Sequence, residues 1–210
     1  MNLTYMSSYF ITGIGTDVGK TVAAAIVTKA LDADYWKPIQ SGLTETDRGT
    51  LQELLHDFKG TFHPESYRLK TPMSPHKAAE IDGITIELNK IVRPKTSKNL
   101  VVEGAGGILV PINNEQTIAD LIEPTDKIIL VSSGYLGSIN HTLLSIAYLK
   151  SRGLKCAGII YNHVDLDGTI EIIEKMSSVP TIGHIKKHDS ITPKIVDEYA
   201  SLFKSKLEQL

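Results

Sequence analysis

The chain has 210 residues, with 22 lysines and arginines against 24 aspartates and glutamates, and a formal net charge of −2. This balance argues against nucleic acid as the main partner, because binding to a phosphate backbone requires a basic face. Hydrophobic residues make up 41% and charged residues 22% of the chain, which is typical of a globular protein. The length predicts a single domain over residues 1–210.

The N-terminus and the cysteine content favour a cytoplasmic protein. The opening "MNLTYMSSYFITG" lacks a basic start followed by a long apolar core, so we expect no signal peptide. No stretch approaches the roughly 18 apolar residues of a membrane helix, so we expect no membrane partner. Cys156 is the only cysteine and cannot form an internal disulfide, which fits a reducing compartment.

Short apolar runs alternate with longer helical patterns along the chain. The apolar runs predict strands at residues 9–13, 34–39, 99–104, 127–133, 156–162 and 179–185. Helices are predicted at residues 20–31, 47–58, 84–92, 117–122, 138–153, 168–178 and 193–210. The pattern in 84–92 is ambiguous, and we favour a helix there. The Pro-, Thr- and His-rich segment 60–80 is expected to be mostly loop, with a short helix near "SPHKAAE".

The strand runs, such as "KIILVSS" and "CAGIIYN", are apolar throughout and do not alternate with polar residues. This is typical of strands buried on both faces of a parallel sheet. Repeated strand–helix units therefore predict a doubly wound α/β fold, with a mostly parallel sheet and helices on both faces. In such folds, ligands bind at the carboxyl ends of the strands.

The stretch "TGIGTDVGKT" between the first strand and the first helix resembles a phosphate-binding loop. Gly19-Lys20-Thr21 supplies the usual end, but Ile14 stands where glycine is usual, and Gly13 comes one residue earlier. Loop N–H groups and a helix N-terminus favour a bound phosphate. Lys20 could reach the terminal phosphates, and the Thr21 hydroxyl could hold Mg²⁺. A plain glycine-rich turn is the alternative, but the strand–loop–helix placement favours a P-loop NTPase-like fold.

Three charged side chains are expected at the same edge of the sheet. Glu103 ends the strand in "VVEGAGG", where a buried carboxylate could contact a metal or nucleotide, cap a helix or pair with a lysine. Lys37 in "YWKPIQSG" could neutralise charge during phosphoryl transfer, or could be a surface lysine with its stem over Trp36. Asp47 could be a second metal carboxylate, a helix N-cap, or both.

Five motifs together resemble the dethiobiotin synthetase family. They are "GIGTDVGKT", "WKPIQSG", "TPMSPH", "VVEGAGG" and "LGSINH", in the order seen in that family, and they span residues 9 to about 163. The family has a longer phosphate loop, with five residues between its glycines, as between Gly13 and Gly19 here. The misfit to the usual loop is therefore itself a mark of the family.

The resemblance implies an ATP-dependent ligase of biotin biosynthesis. Such an enzyme makes dethiobiotin from 7,8-diaminononanoate, CO₂ and ATP with Mg²⁺. A carbamate forms first, its oxygen attacks the γ-phosphate, and the second amine then closes a cyclic urea. The family is homodimeric, so the resemblance also implies a homodimer.

The resemblance assigns roles to residues at matching positions of this chain. Lys37 and Lys20 would be catalytic, and Asn162 would read adenine. ATP would be bound by Gly15, Thr16, Asp17, Val18, Gly19, Lys20, Thr21, Asp47, Glu103, Gly104, Ala105, Gly106 and Asn162. The diamine substrate would be bound by Thr16, Ser41, Gly137, Ser138, Ile139 and Asn140, the last four from the other subunit. Mg²⁺ would be held by Thr21, Asp47 and Glu103.

One departure from the family and two alternative functions bear on this interpretation. The stretch "GHIKKHDS" has Lys186 where the family has proline, which puts the nucleotide preference in question. A partner-regulated ATPase of the partitioning and cell-division group would carry an extra lysine where this chain has Thr12-Gly13-Ile14. A cobyrinate-amidase-like ligase would add a glutaminase domain with a catalytic cysteine.

Overall fold

The structure, a computed structural model, describes residues 7–164 and 168–210. Its strands are Ser8–Gly13 (β1), Asp34–Trp36 (β2), Ile39–Ser41 (β3), Phe62–His63 (β4), Tyr67–Leu69 (β5), Leu100–Gly107 (β6), Lys127–Ser133 (β7), Cys156–Asn162 (β8) and Thr181–Ile185 (β9). Its helices are Lys20–Ala30 (α1), Asp47–Leu54 (α2), Pro75–Asp82 (α3), Ser138–Ser151 (α4), Thr169–Ser177 (α5) and Pro193–Glu208 (α6), with 3₁₀ turns at Leu88–Lys90 and Ile118–Leu121.

The main sheet has seven parallel strands in the order β4-β2-β6-β1-β7-β8-β9. Helices cover both of its faces, as two neighbouring residues of β1 show. Ile11 packs in an apolar cluster with α1, α2 and α6, whereas Phe10 packs in a second cluster with α3, α4 and α5. The predicted doubly wound α/β fold is confirmed. Within the described ranges, no helix is long and apolar enough to cross a membrane.

The strand predicted at 34–39 is wrong in its second half. β2 ends at Trp36, and Ile39 starts β3, which pairs with β5 in a separate two-stranded sheet. Pro38 lies at the break, because proline has no N–H to donate to a strand partner. The chain therefore changes sheets around Lys37, which comes directly after the carboxyl end of β2.

The helix predicted at 84–92 is also wrong, since only Leu88–Lys90 forms a 3₁₀ turn. Side chains from elsewhere bind the backbone that a helix would use. The Tyr67 hydroxyl accepts from the Glu87 N–H at 3.0 Å, and the Asn113 amide donates to the Ile86 carbonyl at 3.0 Å. These bonds, with the burial of Ile86, hold the segment extended. β4 and β5 also form short strands inside the segment expected to be mostly loop.

The carboxyl ends of β2, β6 and β1 meet beside the loop that leads into α1. In the register of the sheet, Ile11 lies opposite Glu103, and Tyr35 lies opposite Val101. Residues two apart on a strand face the same side, so all four side chains lie on the face covered by α1 and α2. This register places one carboxylate, Glu103, at the end of an apolar layer and directly below the phosphate loop.

Candidate active site

The phosphate loop closes tightly over its own lysine. Gly19 immediately precedes α1 with a φ of 89°, in the left-handed region that favours glycine. Lys20 is buried, and its ammonium donates to the Gly15 carbonyl at 2.8 Å. Among the described residues, no side chain caps the N-terminus of α1. Its first N–H groups are therefore available to an anion in the manner of a phosphate site.

Asn162, at the end of β8, holds this loop from behind. Its amide donates to the Val18 carbonyl at 3.1 Å. A Cβ atom at Gly19 would lie 2.1 Å from the same amide nitrogen. The close approach of Asn162, together with the positive φ, explains why glycine occupies this position.

Three side chains that carry oxygen atoms meet beside the loop. The Thr21 hydroxyl lies 2.5 Å from Asp47 Oδ1 and 3.1 Å from Glu103 Oε1. Asp47 is the first residue of α2, whereas the N-cap is Thr46, whose side chain accepts from the Gly49 N–H. The interpretation of Asp47 as the N-cap is therefore wrong, and its carboxylate faces the site.

Lys37 connects the two carboxylates. Its Nζ lies 2.9 Å from Asp47 Oδ2 and 3.0 Å from Glu103 Oε1, and it donates to the Gly104 carbonyl at 3.0 Å. The residue is 4% exposed, so the alternative of a surface lysine over Trp36 is wrong. Glu103 does pair with a lysine, and that lysine is part of the same site.

The pKa values of these groups follow from burial and from their charged neighbours. Burial, and next the charge of Lys37, lowers the pKa of Lys20 to about 8. Burial also acts to lower the pKa of Lys37, but the Glu103 and Asp47 carboxylates outweigh it and raise that pKa. Burial raises the pKa of Glu103. For Asp47, burial is outweighed by Lys37 and by the Thr21 hydrogen bond, which lower its pKa. The site therefore holds a charged lysine between two acids.

The loop and these side chains border a cleft of about 780 Å³. The predicted site residues that line it are Thr16, Asp17, Gly19, Lys20, Thr21, Lys37, Ser41, Asp47, Glu103, Ala105 and Gly106. Pro72, Met73, Ser74 and Pro75 also line it, so the "TPMSPH" motif reaches the cleft. This volume is in the range of small-molecule sites.

Comparison with known proteins decides the family. A family model described as an AAA domain matches residues 7–194. The ATP-dependent dethiobiotin synthetase BioD of Christiangramia forsetii is 51% identical over 201 residues, which cover 95% of this chain and 97% of the relative. The chain belongs to the ATP-dependent dethiobiotin synthetase family. A second family member, from Cytophaga hutchinsonii, is 48% identical over 197 residues, covering 93% of this chain and 96% of the relative.

Solved structures add evidence on the fold of this dethiobiotin synthetase family member. The MinC:MinD cell division protein complex of Aquifex aeolicus aligns with a TM-score of 0.62 at 13% identity, covering 97% of this chain and 94% of that one. A ParA family ATPase from Chlorobium tepidum aligns with a TM-score of 0.58 at 14% identity, covering 98% of this chain and 100% of that one. Similarity at this level of identity shows a shared P-loop NTPase-like fold alone.

Several residues assigned by the family pattern lie outside the main cleft. Gly15 borders a second pocket of about 410 Å³, together with Leu144 and Tyr148 of α4. Val18, Gly104 and Asn162 are buried and line neither pocket. Neither pocket is lined by the residues that the family pattern assigns to diamine binding from the other subunit, which are Gly137, Ser138, Ile139 and Asn140. Within one chain, the start of α4 is thus separate from the cleft.

Two site residues were not predicted from the sequence. The Tyr35 hydroxyl donates to Glu103 Oε2 at 2.8 Å, and Gln40 Oε1 accepts from the Asp47 N–H at 3.0 Å. Both side chains are buried. Tyr35 precedes Lys37 by two residues, so strand periodicity could have placed both side chains on one face. For Gln40 we find no comparable sequence signal.

Proposed function

We propose that this protein makes dethiobiotin from 7,8-diaminononanoate, CO₂ and ATP, as a ligase of biotin biosynthesis. The observation that carries the proposal is the buried Lys37 ammonium, which lies 2.9 Å from Asp47 and 3.0 Å from Glu103 beside the phosphate loop. A buried cation at this point suits a reaction in which a carbamate and a transferring phosphoryl group bring two negative charges together. The names of relatives at 51% and 48% identity support the same activity.

The chemistry proceeds in three steps. One amine adds to CO₂ and loses a proton, which gives a carbamate. A carbamate oxygen then attacks the γ-phosphorus of ATP and ADP leaves, which gives a carbamic-phosphoric anhydride. The second amine attacks the carbamate carbon and phosphate leaves with that oxygen, which closes the five-membered urea. Conversion of ATP to ADP and phosphate therefore drives the removal of one oxygen of CO₂.

The side chains of this chain have separate roles in these steps. Lys20 and the N–H groups of residues 15–21 bind the phosphates at the start of α1. Lys37 stabilises the charge on the carbamate and on the phosphoryl group in transfer. Ser41 contacts the diamine or its carbamate, in keeping with its place on the wall of the cleft. Asn162 reads adenine from the end of β8, where its amide nitrogen donates one hydrogen bond to the Val18 carbonyl.

The residues present fit a bound Mg²⁺. Thr21, Asp47 and Glu103 offer hard oxygen donors, and both carboxylates lie within 3.1 Å of the Thr21 hydroxyl. The described residues contain no group of three or more His, Cys, Asp or Glu side chains that could hold a metal ion by themselves. This matches Mg²⁺, which is usually held by one or two carboxylates together with phosphates and water. When bound, the ion would neutralise phosphate charge, and these three side chains would hold it.

The proposal includes a cytoplasmic homodimer. The start of α4 is separate from the cleft of its own chain, so residues 137–140 would serve the cleft of the partner. Apolar side chains around this helix support an interface, since Leu136 is 100% and Leu144 59% exposed. A second chain covering them would remove this apolar surface from water.

Phosphate release by the purified protein tests the proposal. The protein is mixed with MgATP and bicarbonate, with and without 7,8-diaminononanoate. We expect phosphate release only with the diamine, together with a cyclic urea of the mass of dethiobiotin. Release that ignores the diamine would contradict the proposal and favour a regulatory ATPase. Lys37→Ala, compared at a temperature where it remains folded, leaves the residues of the phosphate loop unchanged and should abolish urea formation.

A further inference from the structure

The two oxygens of the Glu103 carboxylate have different partners. Oε1 faces the site, where it lies 3.0 Å from Lys37 Nζ and 3.1 Å from the Thr21 hydroxyl. Oε2 faces the interior and accepts a hydrogen bond from the Tyr35 hydroxyl at 2.8 Å. In the part of the chain that the structure describes, this is the only hydrogen bond to Oε2. The orientation of the carboxylate is thus set from both sides.

The tyrosine itself is held rigidly. Tyr35 is 0% exposed and packs with Leu51 and Val101 in the apolar cluster under α1 and α2. Its ring meets Phe62 edge to face, with 6.2 Å between the ring centroids. Its backbone lies in β2, paired with β6, the strand that carries Glu103. A hydroxyl on such a support has little freedom to move away from its acceptor.

We propose that Tyr35 is a positioning residue that orients Glu103 for the metal–nucleotide complex. By occupying Oε2, the hydroxyl leaves Oε1 as the oxygen presented to the cleft, level with Thr21 and Asp47. This inference rests on the proposed role of Glu103 in holding Mg²⁺. Tyr35 lines neither pocket, so in this proposal it acts only through Glu103.

Removal of this single hydroxyl has a specific consequence. In a Tyr35→Phe variant, Oε2 would have no donor in an apolar surrounding, and a buried acceptor without a partner is unfavourable. The carboxylate would then turn toward other donors, such as Lys37, and lose its alignment with Thr21. Outer-shell partners of metal ligands typically contribute about 10- to 100-fold to metal affinity, and we expect a loss in this range.

The test measures how much Mg²⁺ lowers the Kd of a nucleotide, which is the energetic coupling between the two ligands. Isothermal titration gives the Kd of a non-hydrolysable ATP analogue with Mg²⁺ and with chelator. We expect Tyr35→Phe to reduce the ratio of the two Kd values by about 10-fold or more, with the Kd in chelator nearly unchanged. Tyr9→Phe is the matched control, because Tyr9 is a buried tyrosine of the same cluster, with its hydroxyl 3.4 Å from Lys127. This control should keep the wild-type ratio.

A double variant distinguishes action through Glu103 from a general loss of structure. If Tyr35 acts through Glu103, Tyr35→Phe should reduce the Mg²⁺ effect no further in a Glu103→Gln background. Two results would overturn the inference. One is an equal loss of the Mg²⁺ effect from Tyr35→Phe in the wild-type and the Glu103→Gln backgrounds. The other is a wild-type ratio of Kd values in a Tyr35→Phe single variant that unfolds at the wild-type temperature. Binding of the analogue requires no diamine, so this result is independent of whether dethiobiotin is formed.

Discussion

Lys37 and Glu103 form a buried ion pair, with 3.0 Å between Nζ and Oε1, where Lys37 follows β2 and Glu103 lies on the neighbouring strand β6, beside the phosphate loop. Glu103 is 1% and Lys37 4% exposed, so both charges have lost most of their water. Removal of Lys37 would leave the Glu103 charge buried and without its ammonium partner, whereas Lys37 would still pair with Asp47 if Glu103 were removed. We therefore expect this contact to affect both the stability of the fold and the proposed catalysis, and the pH dependence of stability to report the charge of Glu103.

Lys37→Met should both inactivate and destabilise the protein. We expect kcat to fall by about 100-fold or more, because a preorganised positive group is lost from the transition state. Unfolding at neutral pH should cost about 3–5 kcal/mol less, since the Glu103 charge is then uncompensated. Burial already raises the pKa of Glu103, so lowering the pH should let this carboxyl take up a proton and relieve the loss of stability. Urea unfolding of the variant and the wild type from pH 5 to 8 measures this change in the free energy of unfolding.

A surface lysine provides the control for that series. Lys204 lies 3.9 Å from Glu208 in an exposed pair on α6, where screening by water makes the interaction weak. Lys204→Met should leave kcat and stability unchanged across the same pH range. If Lys37→Met were equally destabilised at pH 5 and pH 8, the unpaired Glu103 charge would not be the cause.

Nucleotide binding should take up protons near pH 8. Burial and the charge of Lys37 lower the pKa of Lys20 to about 8, so part of the population is neutral in the free protein at that pH. Bound phosphates favour the charged amine and raise its pKa, so uptake should be small below pH 7 and grow as the pH rises through 8. Titration of ADP in buffers of different ionisation enthalpy measures the uptake. Lys20→Arg should abolish it, and a wild-type protein without uptake from pH 7 to 9 would contradict the expectation.

Gly19→Ala should weaken ATP binding by more than the strain of a left-handed backbone at residue 19 alone would explain. The new Cβ would lie 2.1 Å from the Asn162 amide nitrogen, so the loop or Asn162 must shift. Gly83→Ala is the matched control, because Gly83 also has a positive φ, of 67°, but nothing within 4 Å of its Cβ position. Both should cost about 1–2 kcal/mol for the left-handed backbone. Only Gly19→Ala should raise the KM for ATP, and an equal KM in both variants would argue against the Asn162 contact.

Asp34 should stabilise the edge of the sheet without affecting catalysis. Burial raises its pKa, but hydrogen bonds from the Thr96 hydroxyl, the Thr61 N–H and His63 outweigh this and lower it. Its contribution is therefore present above the unfolded pKa near 3.8 and lost as the pH falls through the lower folded value. Asp34→Asn should cost about 1–3 kcal/mol at pH 7, with KM for ATP unchanged. The difference from the wild type should shrink in unfolding experiments below pH 3.8.

The sequence predicts the fold and most of the cleft because local signals suffice for both. Apolar runs that do not alternate report buried parallel strands, and "GIGTDVGKT" places a phosphate loop after the first of them. Most residues of the five motifs lie at or just after the carboxyl ends of strands, and parallel strands bring those ends to one edge, although "LGSINH" lies apart from the cleft of its own chain. Lys37, Asp47 and Glu103 therefore meet as expected, although they are far apart in the chain.

Other features depend on contacts that local patterns do not carry. The sequence pattern of segment 84–92 is ambiguous, and the helix favoured there is replaced by a segment whose backbone is bonded to the side chains of Tyr67 and Asn113. Tyr35 has the sequence character of an ordinary core residue, and only the register of β2 against β6 brings its hydroxyl to Glu103. Tertiary hydrogen bonds of this kind cannot be deduced from propensity.

The fate of one oxygen atom tests the proposed function most directly. The protein is given MgATP, 7,8-diaminononanoate and ¹⁸O-labelled CO₂, and the reaction is stopped before the label exchanges with water. If a carbamate oxygen attacks the γ-phosphorus, each inorganic phosphate released should contain one ¹⁸O, and the urea carbonyl should retain the other. Phosphate that carries oxygen from water alone would show simple ATP hydrolysis and contradict the carbamate mechanism.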